Sequence, residues 1–260
     1  MIQTKGQFQS AKRFLFLVGD IGQFTLRFFR EGFHKPFEWK EILKQCGEVG
    51  YRSLSLVGVT AFIMGLVLTI QSRPTLVEFG AESWLPAMVS VSLIREIGPV
   101  ITALICAGKI GSRIGAELGS MRVTEQIDAM EVSGTNPFKY LVTTRVLATS
   151  LMLPLLVIFA DTIALYGSFL AVNIKGAVSF QLFFNQVFET LEFSDLIPSI
   201  LKSFFFGFII GIIGCYMGYN SKKGTEGVGK SANSAVVVAS LMVFILDLIA
   251  VQITDLFYEL

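Results

Sequence analysis

The chain has 260 residues, of which 53% are hydrophobic and only 16% are charged, and its formal net charge is +1. A typical soluble domain has about 25% charged residues, so this composition excludes an ordinary soluble enzyme and indicates an integral membrane protein. The balanced charge gives no sign of nucleic-acid binding. Three widely separated cysteines and a single histidine, His34, indicate neither a disulfide framework nor a metal site.

The first thirty residues predict an amphipathic helix that lies in the membrane interface. Apolar residues recur there at helical spacing with basic residues beside them, and Asp20 and Gln23 interrupt the run. Such a helix turns its apolar face toward the acyl chains and its basic residues toward anionic headgroups. A sixth, poorly formed span is the alternative for this segment. The apolar positions are Phe14, Leu17, Val18, Ile21, Phe24 and Phe28.

Five later segments are apolar and long enough to cross a bilayer, which takes about 20 residues. They predict an all-α integral membrane protein, with residues 1–50 as an N-terminal region and residues 51–260 as the membrane domain. Glycines at 207, 211, 214 and 218 draw one smooth face on the fourth span, which suits close helix packing. The five predicted spans are 53–70, 84–107, 146–172, 196–219 and 235–253.

The distribution of basic residues predicts the orientation of these spans. Residues 1–52, 109–145 and 220–234 together hold 17 of the 21 Lys and Arg residues, whereas the intervening connections hold only Arg73 and Lys175. Basic residues are concentrated on the cytoplasmic side of membrane proteins. We therefore expect a cytoplasmic N-terminus and, after five spans, a C-terminus on the outer side.

Charged residues interrupt four of the five spans. Each costs about 2.5–3.5 kcal/mol at the centre of a membrane helix on insertion scales, so each needs a partner. Counted along the helices, Arg95, Glu96, Lys202 and Asp247 fall in one layer, with Asp161 nearer the outer surface. They predict a paired network that lines a polar cavity. A structural cluster that only fixes helix packing is the alternative.

Residues 224–231 (GTEGVGKS) match the pattern of a phosphate-binding P-loop. A P-loop needs a preceding strand in a parallel sheet and a helix whose N-terminus holds the phosphate. Here the segment lies between two predicted spans, so the glycines are better explained by a tight cytoplasmic turn. We expect no nucleotide site on this chain.

The connection 108–145 predicts a short cytoplasmic helix at about 124–133. Thr124 is a plausible N-cap, while Gly134 suits the C-terminal end. A helix of about ten residues is not stable alone in water, so it has to dock on something. Ile127 and Met130 share a face that we expect to fill the groove of a partner, although a surface helix without function has the same pattern.

Several of these segments resemble the MlaE (YrbE) family of ABC-transporter permeases, and the likeness covers about residues 10–255. Residues 230–233 (KSAN) depart from a more usual small and Thr-rich stretch, and that departure produces the P-loop match. The segments that carry the resemblance are 93–100 (LIREIGPV), 116–119 (AELG), 124–130 (TEQIDAM), Asn136-Pro137, 224–231 and Leu246-Asp247.

The resemblance implies a permease subunit without catalytic activity, metal or cofactor of its own, in the bacterial inner membrane with a periplasmic C-terminus. It implies a homodimer that binds a separate ABC ATPase, which carries the ATP and Mg²⁺. It further implies an MCE-domain lipid-binding protein in the periplasm, room for a STAS-type accessory subunit, and phospholipid as substrate.

The resemblance also assigns roles to particular residues. The membrane charges Arg95, Glu96, Lys202 and Asp247 match charged positions of the family. Residues at the outer end of the first span would contact lipid at the dimer interface, and residues around the short helix would couple to the ATPase. The lipid contacts are Leu68, Thr75, Leu76 and Phe79, and the coupling residues are Glu117, Gly119, Met121, Thr124, Glu125, Gln126, Asp128 and Met130.

Two other functions remain to be weighed against a lipid permease. A membrane-embedded acyltransferase or protease would need a nucleophile and a base, and His34 is the only histidine. A proton-coupled carrier or channel would use Glu96 and Asp247 as relay groups. The carrier predicts transport that depends on a proton gradient and needs no ATPase.

Overall fold

The computed structural model describes residues 2–32, 38–174, 178–222 and 224–258, and their secondary structure is helical throughout, without strands. His34 lies outside these residues. Five helical bodies of the described chain are long and apolar enough to cross a membrane, which confirms the predicted all-α membrane fold. They are Trp39–Glu78, Glu82–Val123, Phe138–Asn173, Phe193–Tyr219 and Thr225–Thr254.

Ten α-helices build these bodies and their connections within the described residues. Short non-α turns join some of them: a 3-10 turn at Glu82–Trp84 and π-helical turns at Leu93–Ile97, Ala107–Gly111 and Phe138–Thr143. The helices are α1 (Ile2–Gly32), α2 (Trp39–Glu78), α3 (Leu85–Ser92), α4 (Gly98–Cys106), α5 (Ser112–Val123), α6 (Gln126–Val132), α7 (Thr144–Asn173), α8 (Phe180–Thr190), α9 (Phe193–Tyr219) and α10 (Thr225–Tyr258).

The second span is a composite of α3, α4 and α5, and Pro99 helps to explain its first π-helical turn. Proline has no backbone N–H and cannot continue the regular hydrogen-bond ladder, but it suits the first turn of a new helix, where Pro99 lies. Just before it, the Gly98 N–H donates to the Leu93 carbonyl, five residues back. The widened turn contains Arg95 and Glu96, and such turns are frequent at functional sites.

The predicted loop 108–145 is largely helical, and the sequence reading missed this because the helices continue beyond the apolar stretch. Residues 107–123 extend the second span, and residues 138–145 already belong to the third. Charged residues on these extensions are paired within the protein: Arg113 Nη1 lies 2.6 Å from Glu48 Oε2 on α2. Helix α2 begins at Trp39, so the predicted domain boundary at residue 50 falls inside it.

Glycines allow the long helices to approach closely, as the sequence predicted for α9. A methyl group at Gly207 would overlap the Thr149 carbonyl of α7, and one at Gly211 would lie 2.9 Å from the α-carbon of Val146. At Gly218 it would meet the β-carbon of Leu118, on α5, at 2.7 Å. The glycine face of α9 therefore packs on two neighbouring helices. Gly207 and Gly211 contact the first residues of α7, and Gly218 contacts α5.

Helix α1 docks on the membrane domain with part of its apolar face. Phe24 and Phe28 are buried, and the Phe24 ring lies 4.9 Å from that of Phe138 and 5.5 Å from that of Tyr216. Leu26 and Phe29 remain exposed on other faces of the helix. The predicted amphipathic helix thus buries one apolar face in the protein and leaves further apolar residues outside it.

The connections between spans gather at two ends of the molecule. At one end, Gly119 of α5 approaches Ser221 of the α9–α10 connection and Val228 near the start of α10, and α6 follows α5 closely in the chain. At the other end, α8 packs against α3, and Arg73 pairs with Glu82 across the connection between the first two spans. We call these the α6 end and the α8 end. The positive-inside pattern predicts that the α6 end is cytoplasmic.

Candidate functional site

A buried lysine joins three spans in the middle of the protein. The Lys202 side chain on α9 is only 6% exposed, and its Nζ donates to Glu96 Oε2 at 2.7 Å and to Asp247 Oδ1 at 3.2 Å. Glu96 comes from the π-helical turn of the second span and Asp247 from α10. The Glu96 and Asp247 side chains keep 40% and 19% of their surface exposed in the isolated chain, so one buried ammonium group neutralises much of two partly buried carboxylates. Removing it would leave them unpaired, which is strongly destabilising.

The fourth predicted member of the network, Arg95, has a different contact. Its Nη1 lies 4.0 Å from Oδ1 of Asp195 in the first turn of α9. Asp195 also accepts a hydrogen bond from the Glu192 backbone N–H at 3.3 Å, as part of a capping box. Asp195 was not among the predicted members of the network. Its position seven residues before Lys202, on the same face of one helix, was the available signal.

Asp161 on α7 is deeper than the sequence suggested. It is 9% exposed, and its Oδ1 lies where a side chain on Gly98 would otherwise be. That oxygen accepts no hydrogen bond from any described residue. Buried carboxylates are normally paired or hydrogen-bonded, so the unbonded Oδ1 of Asp161 is an exception among the described residues.

Two grooves adjoin the charged residues of the spans. One, of about 270 Å³, lies between α9 and α10 and includes Lys202 among otherwise mostly apolar residues such as Phe205, Leu246 and Ile249. The other, of about 380 Å³, lies between α7, α8 and α9 and includes Asp161. A third cavity, of about 450 Å³ and lined in part by Lys222 and Lys230, lies at the α6 end.

At the α6 end, a buried arginine anchors α5 to the third span. Arg145 of α7 is 3% exposed; its Nη2 donates to Glu117 Oε1 at 2.6 Å and its Nη1 to the Leu141 carbonyl at 2.9 Å. The Glu117 side chain keeps 41% of its surface exposed. This predicted coupling residue therefore lies at the boundary between the packed domain and the surface.

The turn from α5 to α6 differs from the prediction. Thr124 does not cap α6, because it ends α5, and its hydroxyl donates to the Ser120 carbonyl at 2.9 Å. Glu125 precedes α6 instead, with a left-handed backbone (φ 59°) that side chains other than glycine rarely adopt. Arg122 and Asp128 pair across this turn at 2.5 Å.

The C-terminal end of α6 follows the prediction. Gly134 has a φ of 80°, and its N–H donates to the Glu131 carbonyl at 3.0 Å. The Thr135 N–H donates to the Met130 carbonyl at 3.0 Å. These two bonds form a Schellman motif, in which the left-handed residue is commonly glycine.

The face of α6 that was expected to fill a partner's groove is occupied within the chain itself. Ile127 is fully buried, and Met130 is partly buried against the core, as is Met121 at the end of α5. Because α6 has only seven residues, it needs this internal support. The surface left for a partner is the opposite one, formed by Glu125, Gln126, Asp128, Ala129, Glu131 and Val132. We call these six residues the α6 surface.

The connection after α6 is tied to helix α1. Asn136 Nδ2 donates to Glu31 Oε2 at 3.3 Å, and the Arg27 guanidinium lies 4.3 Å from the centre of the Phe138 ring. Burial raises the pKa of Glu31, but hydrogen bonds from Arg27 and Asn136 and the charges of Arg27 and Arg30 outweigh it and lower that pKa below its ordinary value.

The predicted lipid contacts do not share one environment. Leu68 and Leu76 of α2 are partly buried against the core, whereas Thr75 is exposed and Phe79, just beyond the helix, is 80% exposed. The segment that matches the P-loop pattern does not have the structure of a P-loop. Helix α10 begins at Thr225, so residues 225–231 are helical, and the preceding element is another helix rather than a strand. In the described part of the chain, no three His, Cys, Asp or Glu side chains are grouped as metal ligands.

Comparison with known proteins adds to this geometry. The sequence model of the family described as Permease MlaE matches residues 42–253. A "Probable ABC transporter permease protein" of Rickettsia bellii is 39% identical over 242 residues, which cover 93% of this chain and 92% of the relative. The chloroplast "Protein TRIGALACTOSYLDIACYLGLYCEROL 1" of Arabidopsis thaliana is 33% identical over 228 residues, covering 88% of this chain and 64% of that protein.

Proposed function

The chain belongs to the MlaE permease family of ABC transporters, and on that premise we propose that it moves phospholipids between the inner membrane and an MCE-domain partner. An ABC permease works with an ATPase, which in this proposal is a separate polypeptide that holds the ATP and Mg²⁺. The chain itself would be non-catalytic and would bind no cofactor.

The observation that carries the lipid proposal is the position of Lys202 beside an apolar groove. The groove between α9 and α10 offers hydrocarbon-like walls for an acyl chain, and the cluster of Lys202, Glu96 and Asp247 offers charge for a polar head. Ligand sites typically combine apolar walls with a few polar groups that fix orientation. The name of the Arabidopsis relative contains that of a diacylglycerol lipid, which supports the same class of substrate.

The proposed link to the ATPase is the α6 surface. It is polar, it exposes Val132 at 90%, and it rests on the buried Ile127. The ion pair between Glu117 and Arg145 joins α5 to the third span, so a displacement of α6 can be transmitted to the membrane helices as a rigid-body movement. Glu117, Gly119, Met121 and Thr124 would then support the contact, and Glu125, Gln126 and Asp128 would make it.

The proposed assembly is a homodimer in the bacterial inner membrane, with the α6 end in the cytoplasm and the C-terminus in the periplasm. Among the spans of the described chain, α10 is the least buried, and an apolar stripe along it is exposed at Val237, Leu241, Phe244 and Leu248. A second copy or lipid would cover such a stripe in the membrane. The MCE protein would bind at the α8 end, and a STAS-type subunit would bind on the ATPase side.

One arrangement favours a second candidate, a proton-coupled carrier. Glu96 and Asp247 flank Lys202 inside the membrane, and groups of this kind serve as proton relays in transporters. A carrier would use these carboxylates without any ATPase.

The two functions are separated by the energy source of transport. We expect proteoliposomes that contain this chain and its co-purified ATPase to transfer a fluorescent phospholipid when ATP is supplied, with no effect of a proton uncoupler. Asp128→Ala on the α6 surface should reduce transfer, whereas Lys40→Ala at the exposed start of α2, outside the α6 surface and the α8 end, should not. Transfer by the chain alone, driven by a proton gradient, would establish the carrier instead.

A further inference from the structure

A polar cavity of about 450 Å³ lies at the α6 end, between the last turn of α9 and the first turns of α10. Tyr216, Met217 and, from α1, Leu17 give it an apolar wall. Helix α10 begins at Thr225, so the positive end of its dipole lies beside this cavity. The two grooves next to the membrane charges share no lining residue with it, so it is a separate place on the protein.

Ser231 is a buried polar residue of this cavity, and its hydroxyl has no partner in the described chain. The residue is only 8% exposed, and its side chain forms no hydrogen bond with any described residue. Its Oγ keeps some accessible surface, in contrast to the unbonded hydroxyls of Ser53 and Thr143, so a ligand in the cavity can reach it. Because buried hydroxyl groups are normally hydrogen-bonded, Ser231 indicates a polar ligand.

Two lysine ammonium groups at the cavity also lack carboxylate partners. Lys222 and Lys230 line it, and neither forms an ion pair within the described chain. Glu226 is the one acidic residue among the described lining residues, and it is unpaired as well. Asp20 of α1 interacts with the Tyr216 hydroxyl and does not line the cavity. Two cations, an unbonded hydroxyl and a helix N-terminus together favour an anion that accepts several hydrogen bonds.

The lining indicates a soluble phosphate monoester rather than a phospholipid headgroup. A phosphate monoester carries about −1.5 to −2 charges at neutral pH, so it can use both lysines, whereas the phosphodiester of a common phospholipid has a single negative charge. Lysine binds phosphate through its ammonium donors as a point charge. The carboxylate of Glu226 and the amide of Asn220 would oppose a second anion, but they are suited to hydroxyl groups on the organic part of the ligand.

We infer that this cavity binds a small, water-soluble phosphate monoester whose organic part carries hydroxyl groups. The phosphate would accept hydrogen bonds from Lys222, Lys230 and Ser231, and a hydroxyl of the organic part would donate to Glu226. The site differs from a P-loop, because residues 225–231 are helical and side chains would hold the phosphate. The inference goes beyond the proposed function, since binding here requires neither the ATPase nor a transported lipid.

The probe is glucose 6-phosphate, and its binding to the detergent-purified full chain can be measured by isothermal titration calorimetry, with glucose as the comparison that lacks the phosphate. We expect saturable binding of glucose 6-phosphate and none of glucose. Ser231→Ala should weaken the binding by about tenfold, the effect of losing one hydrogen bond to a charged group. Lys230→Met should weaken it at least as much. Asn233→Ala, exposed on α10 outside the cavity, should bind like the wild type.

Phosphatidic acid, a lipid that also carries a phosphate monoester, tests whether the ligand is a soluble molecule. In mixed micelles it should not displace glucose 6-phosphate, because it has no hydroxyl groups beside its phosphate. Both variants should unfold at the wild-type temperature, since Lys230 is exposed and Ser231→Ala removes a single oxygen. The absence of saturable glucose 6-phosphate binding to the wild type, or unchanged binding in both variants, would overturn the inference. So would competition by phosphatidic acid that is lost in Ser231→Ala, which would assign the cavity to a membrane lipid.

Discussion

Lys202 forms ion pairs with two carboxylates at once, so we expect the removal of its charge to destabilise the protein strongly. Lys202→Met keeps the length of the side chain but leaves Glu96 and Asp247 facing each other without a cation. We expect a loss of about 3–5 kcal/mol in the free energy of unfolding. The measurement is thermal unfolding in detergent, with the exposed Lys40→Met as the matched control, which should change little.

A compensated variant separates the charge from the packing. The triple change Lys202→Met, Glu96→Gln and Asp247→Asn removes the whole cluster, so it should recover most of the lost stability. If Lys202→Met alone were as stable as the wild type, the cluster would not be a buried ion network.

Glu31 makes the docking of α1 sensitive to pH. Its pKa in the docked helix is lowered, in part by Asn136, which belongs to another segment. Glu31 therefore contributes to docking above the ordinary pKa of a glutamate, and this contribution is lost as the pH falls through the lowered value. A spin label on the exposed Leu26 should gain mobility on acidification. Glu31→Gln should remove this pH dependence, and a wild-type label that becomes less mobile in acid would contradict the assignment.

Some residue roles were readable from the sequence and others were not. The charges at Lys202, Glu96 and Asp247 stand out because they interrupt apolar runs, and helix counting places them at one depth. The contact of Arg95 with Asp195 could not be read in the same way, because Asp195 lies in the first turn of its helix and looks like part of the outer connection. The burial of Ile127 depends on tertiary packing, which periodicity along a seven-residue helix cannot show.

The turn between α5 and α6 carries local strain at Glu125. Left-handed backbone costs an ordinary residue about 1–2 kcal/mol, whereas glycine adopts it freely. Glu125→Gly should therefore be tolerated or slightly stabilising, by up to about 1 kcal/mol, and Glu125→Val should be destabilising by a similar amount. Hydrogen exchange of residues 126–132 measures both effects.

Glu131 provides the control for that comparison. It is exposed on α6 with an ordinary helical backbone, so Glu131→Val should cost only a few tenths of a kcal/mol. Equal effects of valine at 125 and 131 would show that the left-handed turn is not the determining feature.

The helices themselves were more predictable than their ends. Apolar runs of 18 or more residues define the cores of the spans, but the helices extend well past these runs, and charged residues on the extensions pair with each other, as Arg113 does with Glu48. Thr124 illustrates the same limit, since a residue that can cap the next helix can also bond backward to end the previous one.

The proposed function requires the α6 end of the molecule to lie on the cytoplasmic side of the membrane. Among the described basic residues of the predicted cytoplasmic segments, Arg113, Arg122, Lys139 and Arg145 lie between the start of α5 and the start of α7, whereas Lys222 and Lys230 lie in or just after the α9–α10 connection. These two regions meet at the α6 end. The structure thus brings together in space what the positive-inside rule groups by sequence. Orientation and partner remain the predictions on which the proposed function rests.

The accessibility of position 132, the most exposed apolar position of the α6 surface, tests whether this surface lies in the cytoplasm and contacts the ATPase. Val132→Cys is combined with Cys46→Ser, which removes the one partly exposed native cysteine among the described residues. Cys106 and Cys215 are buried and should not react. A membrane-impermeant maleimide should label this variant in inside-out vesicles only, and the bound ATPase should slow the labelling. The control, Glu189→Cys at the α8 end, should react in right-side-out vesicles only. Labelling of position 132 from the periplasmic side, or labelling that the ATPase does not affect, would contradict the account.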